Sequence, residues 1–331
     1  LQRQFQGRSI CSLSMASGTG MLAICERSWD QEMIQVVGIR EDQLPQLGDI
    51  HDGLKGLTPK YASRWSALRD IPWYPAMGDG AAANIGSGAA TPDNWALTMG
   101  TSSAIRVVVP PDQIEAPDGL WLYLVDAKRG LLGGALSEGG NLLAWLDNTL
   151  KLPSLSEAEP QVAALKPDGH GLTILPFISG ERSPGWHAEA HLSIVGLQSH
   201  TTPIDILRAG MEALAYQLSV VFDELNNVLD KRETAPNVLG SGGALLSSQI
   251  LQEIIADTLD TPIQPSLEHE ASARGVALLA LEALGVIPDV ADVPVELGEP
   301  VLPDITHHAI YASARERQMR LYHALLDELK L

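Results

Sequence analysis

Between Trp95 and Leu136 four short apolar runs are broken by turn-forming stretches, and this pattern constrains the fold more than any other feature of the chain. Residues 95–99 and 104–109 flank Gly100-Thr101-Ser102-Ser103. Residues 120–125 and 131–136 flank Asp126-Ala127-Lys128-Arg129-Gly130. Runs this short around such turns read as two β-hairpins. Downstream the rhythm changes. Residues 139–150 turn helical, with Leu142, Leu143, Leu146 and Leu150 at three- and four-residue spacing. Residues 172–176 read as a strand. Residues 204–229 read as a long helix with Leu207, Met211, Leu214, Leu218, Val221, Leu225 and Val228 on one face. Thr202 as N-cap, Pro203 in the first helical position and Asp205 in the first turn mark its start. A strand at 237–239, a helix at 247–259, a strand at 262–264 and a helix at 272–284, stopped by Gly285, then alternate. A last amphipathic helix covers about 311–329. The first 70 residues are irregular, with a helix-compatible stretch at 28–37. Hairpins followed by strand–helix alternation predict an α/β fold, a mixed sheet with helices on its faces.

The chain has 331 residues, enough for one large or two ordinary domains, and 45% are hydrophobic, enough for a sizeable core. Lys and Arg number 22 against 41 Asp and Glu, a net charge of −19. An acidic surface repels nucleic acid and anionic membranes, so neither is expected as a partner. Small anionic substrates stay open, because helix N-termini supply local donors whatever the global sign. Cys11 and Cys25 have neither metal-ligand nor disulfide spacing and read as reduced thiols of a cytoplasmic protein. No run reaches the roughly 18 apolar residues of a membrane span, and residues 1–20 show no signal peptide. The first methionine is Met15, inside sequence that reads as structured, so part of the protein is expected upstream of Leu1.

Four glycine-marked segments are candidates for chemistry. In Gly78-Asp79-Gly80-Ala81-Ala82-Ala83-Asn84 a carboxylate sits between glycines that let a ligand approach, which makes Asp79 a candidate general base. The other reading is an Asp N-cap on a helix starting at Ala81. Gly100-Thr101-Ser102 at the first hairpin tip offers backbone N–H groups and hydroxyls to an anion, or is an ordinary turn. Gly139-Gly140-Asn141 opens a helix whose N-terminus suits a nucleotide phosphate, or is a plain strand-to-helix joint. Gly240-Ser241-Gly242-Gly243-Ala244-Leu245-Leu246-Ser247 lies between a strand and a helix, the setting of nucleotide loops. It is not a Walker loop, and Leu245 replaces the third glycine of a dinucleotide fingerprint.

In this order and at these separations the segments resemble the second half of the FGGY carbohydrate kinases. Ser12 to Gly20 resembles the joint near the end of that family's first domain. Phe177-Ile178-Ser179-Gly180-Glu181-Arg182-Ser183-Pro184, followed by Trp186, resembles its Gly-Glu-Arg-Ser/Thr-Pro segment. Gly196-Leu197, Asp205-Ile206-Leu207-Arg208-Ala209 and Met211-Glu212-Ala213-Leu214-Ala215-Tyr216 resemble its C-terminal signature. The resemblance implies an actin-like (ribonuclease H-like) ATPase fold, with ATP and sugar held between two related domains and Mg²⁺ arriving with ATP. It implies a remnant of the N-terminal domain at 1–70 and a nucleotide-binding C-terminal domain at 71–331. Asp79 then matches the base that takes the sugar hydroxyl's proton. Gly100, Thr101 and Ser102 match the second phosphate loop, Gly140 and Asn141 the nucleotide contacts on the following helix, and Gly242, Gly243, Ala244 and Ser247 the adenosine loop.

The family's opening phosphate hairpin, Asp-x-Gly-Thr-Thr/Ser, has no counterpart here, and no protein ligand for a metal is assigned. The chain alone is therefore expected to lack part of the cleft. Gly180 to Trp186 and Glu270-Ala271-Ser272-Ala273-Arg274-Gly275 look most like gluconokinase-type members, with xylulokinase types next. The partner expected is a small sugar or sugar acid, and a homodimer stays open. A non-catalytic nucleotide-binding module of the same fold is the competing reading. Glu181 and Arg182 read equally as substrate contacts or as a buried ion pair bracing the sheet edge. His187, His191, His200 and the pair His307-His308 read as surface residues.

Overall fold

Strand pairing follows the apolar runs. The computed structural model describes Phe5, residues 9–229 and residues 235–326. Its main sheet has six strands: β1 (Asn94–Met99), β2 (Ser103–Val109), β3 (Trp121–Leu124), β4 (Gly130–Leu136), β5 (Asn237–Ser241) and β6 (Ile263–Pro265), in the order β6-β5-β1-β2-β4-β3. β5 runs parallel to both β1 and β6, whereas β1–β2, β2–β4 and β4–β3 are antiparallel. Both hairpins therefore form where the turn residues placed them, and the later strands add to the free edge of β1. The sheet is mixed with helices on both faces, the α/β architecture that the sequence predicted.

Seven helices matter for the site: α1 (Asp79–Gly86), α2 (Gly140–Leu150), α3 (Leu155–Ala164), α4 (Pro203–Val228), α5 (Gln249–Leu259), α6 (Ala271–Ala283) and α7 (Ile305–Leu326). On one face, Trp95, Leu97, Ile105 and Val107 pack against Leu214, Leu218 and Val221 of α4 and Leu251, Ile254 and Ile255 of α5. On the other face, Val108 and Leu131 pack with Ala81 and Ile85 of α1 and Leu278 and Leu279 of α6. Side chains alternate along a strand, so Arg106 shares the α1–α6 face with Val108. That is where the site lies.

α4 starts as predicted. Thr202 Oγ1 accepts the Asp205 N–H at 3.2 Å, and the Asp205 carboxylate accepts the Thr202 N–H at 2.8 Å. α5 begins two residues later than expected, because Ser248 caps it by accepting the Leu251 N–H at 3.3 Å, while Gly243–Leu246 forms a separate single turn. α7 starts at Ile305 rather than 311, and its expected end at 327–329 lies outside the described residues. α3 was not anticipated.

The stretch before α1 is more ordered than the sequence suggested. A strand at Ile10–Ser12 pairs in parallel with Gln46–Gly48, and a short helix, Leu13–Ser17, follows it. The helix expected at 28–37 spans Gln31–Val37, capped by Asp30, because Ser28–Trp29 pairs with Leu22–Ala23 as strand. Among the described residues no helix is long and apolar enough to cross a membrane.

Candidate active site

Three of the four glycine segments touch one another through their backbones. The Gly140 N–H donates to the Gly100 carbonyl at 2.8 Å, and the Asn141 N–H donates to the Thr101 carbonyl at 3.1 Å. Gly242 has φ +96°, and a Cβ there would collide with the Met99 backbone, so only glycine lets the turn after β5 press onto the end of β1. Beneath this contact, Thr98 Oγ1 and Ser241 Oγ lie 3.1 Å apart. Parallel pairing of β1 with β5 thus brings residues some 140 positions apart in sequence into one surface (241 − 98 = 143). Gly100 and Gly243 face outward, since a Cβ on either would meet nothing within 4 Å.

Beside this junction is a hollow of about 240 Å³ with apolar walls from Leu143 and Ala144 of α2, Ala158 of α3 and Met211 of α4, and with Gly140, Ala244 and Ser247 at its edge. Asn141 faces inward instead. Its Oδ1 accepts the N–H groups of Gly139 and Leu142, both at 2.8 Å, and its Nδ2 donates to Glu138 at 2.6 Å and to the Ser137 carbonyl at 3.2 Å. All its side-chain polar capacity goes into shaping the α2 start, and its N–H is spent on Thr101, so it braces the junction.

Asp79 opens α1, with Gly78 as the N-cap, so the reading of Asp79 as a cap does not hold. Its Oδ1 accepts only the adjacent Gly80 N–H at 2.7 Å, and the residue is exposed. The segment before it is tied to the N-terminal strand and helix: Ser14 Oγ accepts the Gly78 N–H at 3.1 Å, and Ser12 Oγ donates to the Ala76 carbonyl. Behind it, α1 and α6 meet at Gly86 and Gly275. A Cβ on Gly86 would collide with the Ala271 carbonyl, and one on Gly275 with that of Ala82.

In front of Asp79 opens a cleft of about 600 Å³, lined among others by Ser14, Ser102, Arg106, Trp121, Tyr123 and Arg182. Ser102 belongs both to this cleft and to the junction above, so the Gly100 turn connects the Asp79 cleft with the three-loop junction. Burial lowers the pKa of Arg106, the Asp79 charge opposes that shift, and the Arg182 charge adds to it. Trp121 and Tyr123 stack at 4.4 Å with an interplanar angle of 16°.

Glu181 and Arg182 do not pair with each other. The Glu181 carboxylate accepts the Tyr322 hydroxyl at 2.8 Å, while Arg182 turns into the cleft. His307 and His308 are less free than expected, with Nδ1 atoms each 2.9 Å from an oxygen of Asp257, side chain and backbone respectively.

Among the described residues, Asp168, His170 and Glu212 form the one group of three side chains close enough to hold a metal. Their atoms already have partners. Glu212 accepts from Arg208 at 2.8 Å and from Tyr216 at 3.1 Å, and Asp168 accepts from Arg317. In the cleft Asp79 is the single lining carboxylate, so this donor set does not by itself make a Mg²⁺ site. A nucleotide fits better, because the largely apolar hollow is edged by Gly140, Ala244 and Ser247, and Gly100 and Gly243 next to them leave open space.

The C-terminal domain profile of the FGGY family of carbohydrate kinases matches residues 95–284, and the N-terminal domain profile matches residues 1–86. The chain belongs to this family. The N-terminal match includes Asp79 and α1, so the chain spans parts of both family domains, more of the first than the resemblance alone implied.

The chain is 25% identical to a gluconokinase of Bacillus subtilis over 296 residues, covering 86% of this chain and 57% of that protein. It is 29% identical to glycerol kinase 1 of Thermotoga maritima over 285 residues, covering 85% and 56%. It therefore spans a little over half the length of these relatives. A ligand-bound xylulose kinase and a gluconate kinase, both from Lactobacillus acidophilus, superpose with TM-scores of 0.87 and 0.88 at 26% and 25% identity. Those superpositions cover 96% and 98% of this chain and 65% and 66% of the solved chains. They bear out the actin-like ATPase fold.

Arg106 escaped the sequence reading. It lies inside a run taken only as apolar, Ala104 to Val109, and a lone cation in a strand buried on both faces is the signal that marks it.

Proposed function

We propose that this FGGY chain carries the nucleotide site and the proton acceptor of an ATP-dependent sugar kinase, with gluconate the first acceptor to test and xylulose the next. One observation carries the reading: three distant glycine turns meet by backbone contact, and one of them, at Ser102, also lines the cleft that holds Asp79. In this reading the N–H groups of Thr101 and Ser102 hold the phosphates, while Gly100 and the start of α2 at Gly140 and Asn141 brace that turn through their own backbone bonds. Gly242, Gly243, Ala244 and Ser247 border the adenosine, whose base enters the apolar hollow.

The acceptor hydroxyl oxygen bonds to the terminal phosphorus, the bond from that phosphorus to ADP breaks, and the hydroxyl proton passes to the Asp79 carboxylate. Such transfers depend mainly on positioning and charge neutralisation, which suits a site made of backbone donors and one carboxylate. Mg²⁺ supplies charge neutralisation on the phosphates when it is bound with ATP.

The test pairs equilibrium ATP binding with ATP-dependent phosphorylation of gluconate, xylulose and glycerol, read by ADP release. A folded chain that fails to bind ATP refutes the nucleotide assignment. Submillimolar ATP binding without turnover of any acceptor favours the second reading, a non-catalytic nucleotide-binding module. The single carboxylate lining the cleft speaks for that alternative.

A further inference from the structure

The cleft before Asp79 inverts the sign of the protein. The chain carries a net charge of −19, yet the ionised side chains lining this cleft are two arginines, Arg106 and Arg182, and one aspartate. Arg106 is rooted in β2 between buried neighbours, opposite Ala96 of β1 and Gly133 of β4, with Trp121 opposite Gly133 on the next strand. Its guanidinium lies 3.8 Å from the position a Gly80 Cβ would take, beside Asp79 rather than over Gly100. No ion pair forms between Arg106 and Asp79, and among the described residues neither arginine side chain has a hydrogen-bond acceptor.

A half-buried guanidinium presents five N–H donors in a planar fork. Withdrawing it from water without a partner is costly, and a carboxylate satisfies two donors at once. A neutral polyol accepts hydrogen bonds but leaves the charge uncompensated. The phosphate donors proposed above are backbone groups at Thr101 and Ser102, so the two arginines are free for the other substrate. The Trp121–Tyr123 stack adds a flat wall, and Trp121 Nε1 is a buried donor without a partner.

We infer that Arg106 and Arg182 form an anion-recognition pair that selects an acceptor bearing a carboxylate, a sugar acid rather than a neutral sugar or polyol. This rests on the kinase reading for the word acceptor, while the binding chemistry stands on the cleft itself.

Calorimetric titration of the 331-residue chain with gluconate and with glucitol, which has the same six carbons without the carboxylate, tests it. ATP is titrated into the same samples. Wild type binds gluconate more tightly than glucitol. R106Q loses roughly 10- to 100-fold in gluconate affinity, the range for a charge-assisted hydrogen bond, and R106K regains part of it. Glucitol and ATP affinities stay as in wild type. Arg182 is exposed, so R182Q repeats the experiment without disturbing the sheet.

Gluconate binding no tighter than glucitol in wild type, including no binding of either, overturns the inference. Parallel loss of both ligands in R106Q also overturns it, as does a fall in ATP affinity, which would give the pair to phosphate. Absent ATP binding with intact gluconate selectivity would instead sink the kinase reading alone.

Discussion

Replacing Gly243 with valine separates what the protein needs at that position from what a ligand needs. Gly243 opens the single helical turn after β5, and an added Cβ meets no protein atom within 4 Å. The fold therefore has no steric objection to the substitution. Helix propensity contributes at most about 0.5 kcal/mol, in favour of valine. If the adenosine lies against this turn, the two methyl groups occupy its space. Overpacking of that kind costs about 1–3 kcal/mol, or roughly 5- to 150-fold in ATP affinity. Calorimetric titration with ATP gives the affinity, and a thermal melt of the same sample gives the stability. Alanine at 243 should give a smaller loss in the same direction. A folded G243V protein whose ATP affinity stays within twofold of wild type refutes the adenosine assignment. A large drop in melting temperature refutes the inference that this face is open.

Asp79→Asn should leave ATP affinity unchanged and lower turnover by about 10²- to 10⁴-fold, the range for a lost general base; a loss under tenfold in steady-state kinetics removes Asp79 from that role. Gly275→Ala forces a methyl group onto the Ala82 carbonyl, so urea unfolding should show a loss of about 1–3 kcal/mol, and an unshifted midpoint contradicts the close contact. Glu212→Gln probes the buried network under α4. Burial raises the Glu212 pKa, but the hydrogen bond and charge of His170 together with Arg208 outweigh it and hold the group below the usual range. Its stabilisation is complete above the unfolded value near about 4.3 and fades as pH falls toward the folded one. The variant should therefore be about 3 kcal/mol less stable at neutral pH, with a gap that narrows below about pH 4; denaturant curves showing a constant gap would contradict this.

Local chemistry explains most of what was legible in the sequence. The β1–β2 hairpin announced itself because Gly100 to Ser103 interrupts two apolar runs, and α4 because Thr202, Pro203 and Asp205 each meet a specific need at a helix start. The family resemblance rested on the same glycines that the fold uses for close contact, Gly140 and Gly242 among them. What stayed hidden depends on register across strands. Nothing near Arg106 in sequence says that Gly133 and Trp121 lie across from it, or that the first turn of α1 covers it. Arg182 likewise could not be separated from Glu181 until Tyr322, 141 residues on, proved to be the partner of Glu181. Asn141 was legible as part of the loop but not as a brace, since its role depends on which way the amide turns.

The crossing of α1 and α6 at Gly86 and Gly275 leaves no side chain between the two backbones. Backbone against backbone cannot loosen by a change of rotamer, so Asp79 is indexed to the slab that also bears the Gly100 turn. In the proposed reading, proton acceptor and phosphate turn then travel as one piece. In that reading an incoming alcohol meets one rigid target on this side of the groove.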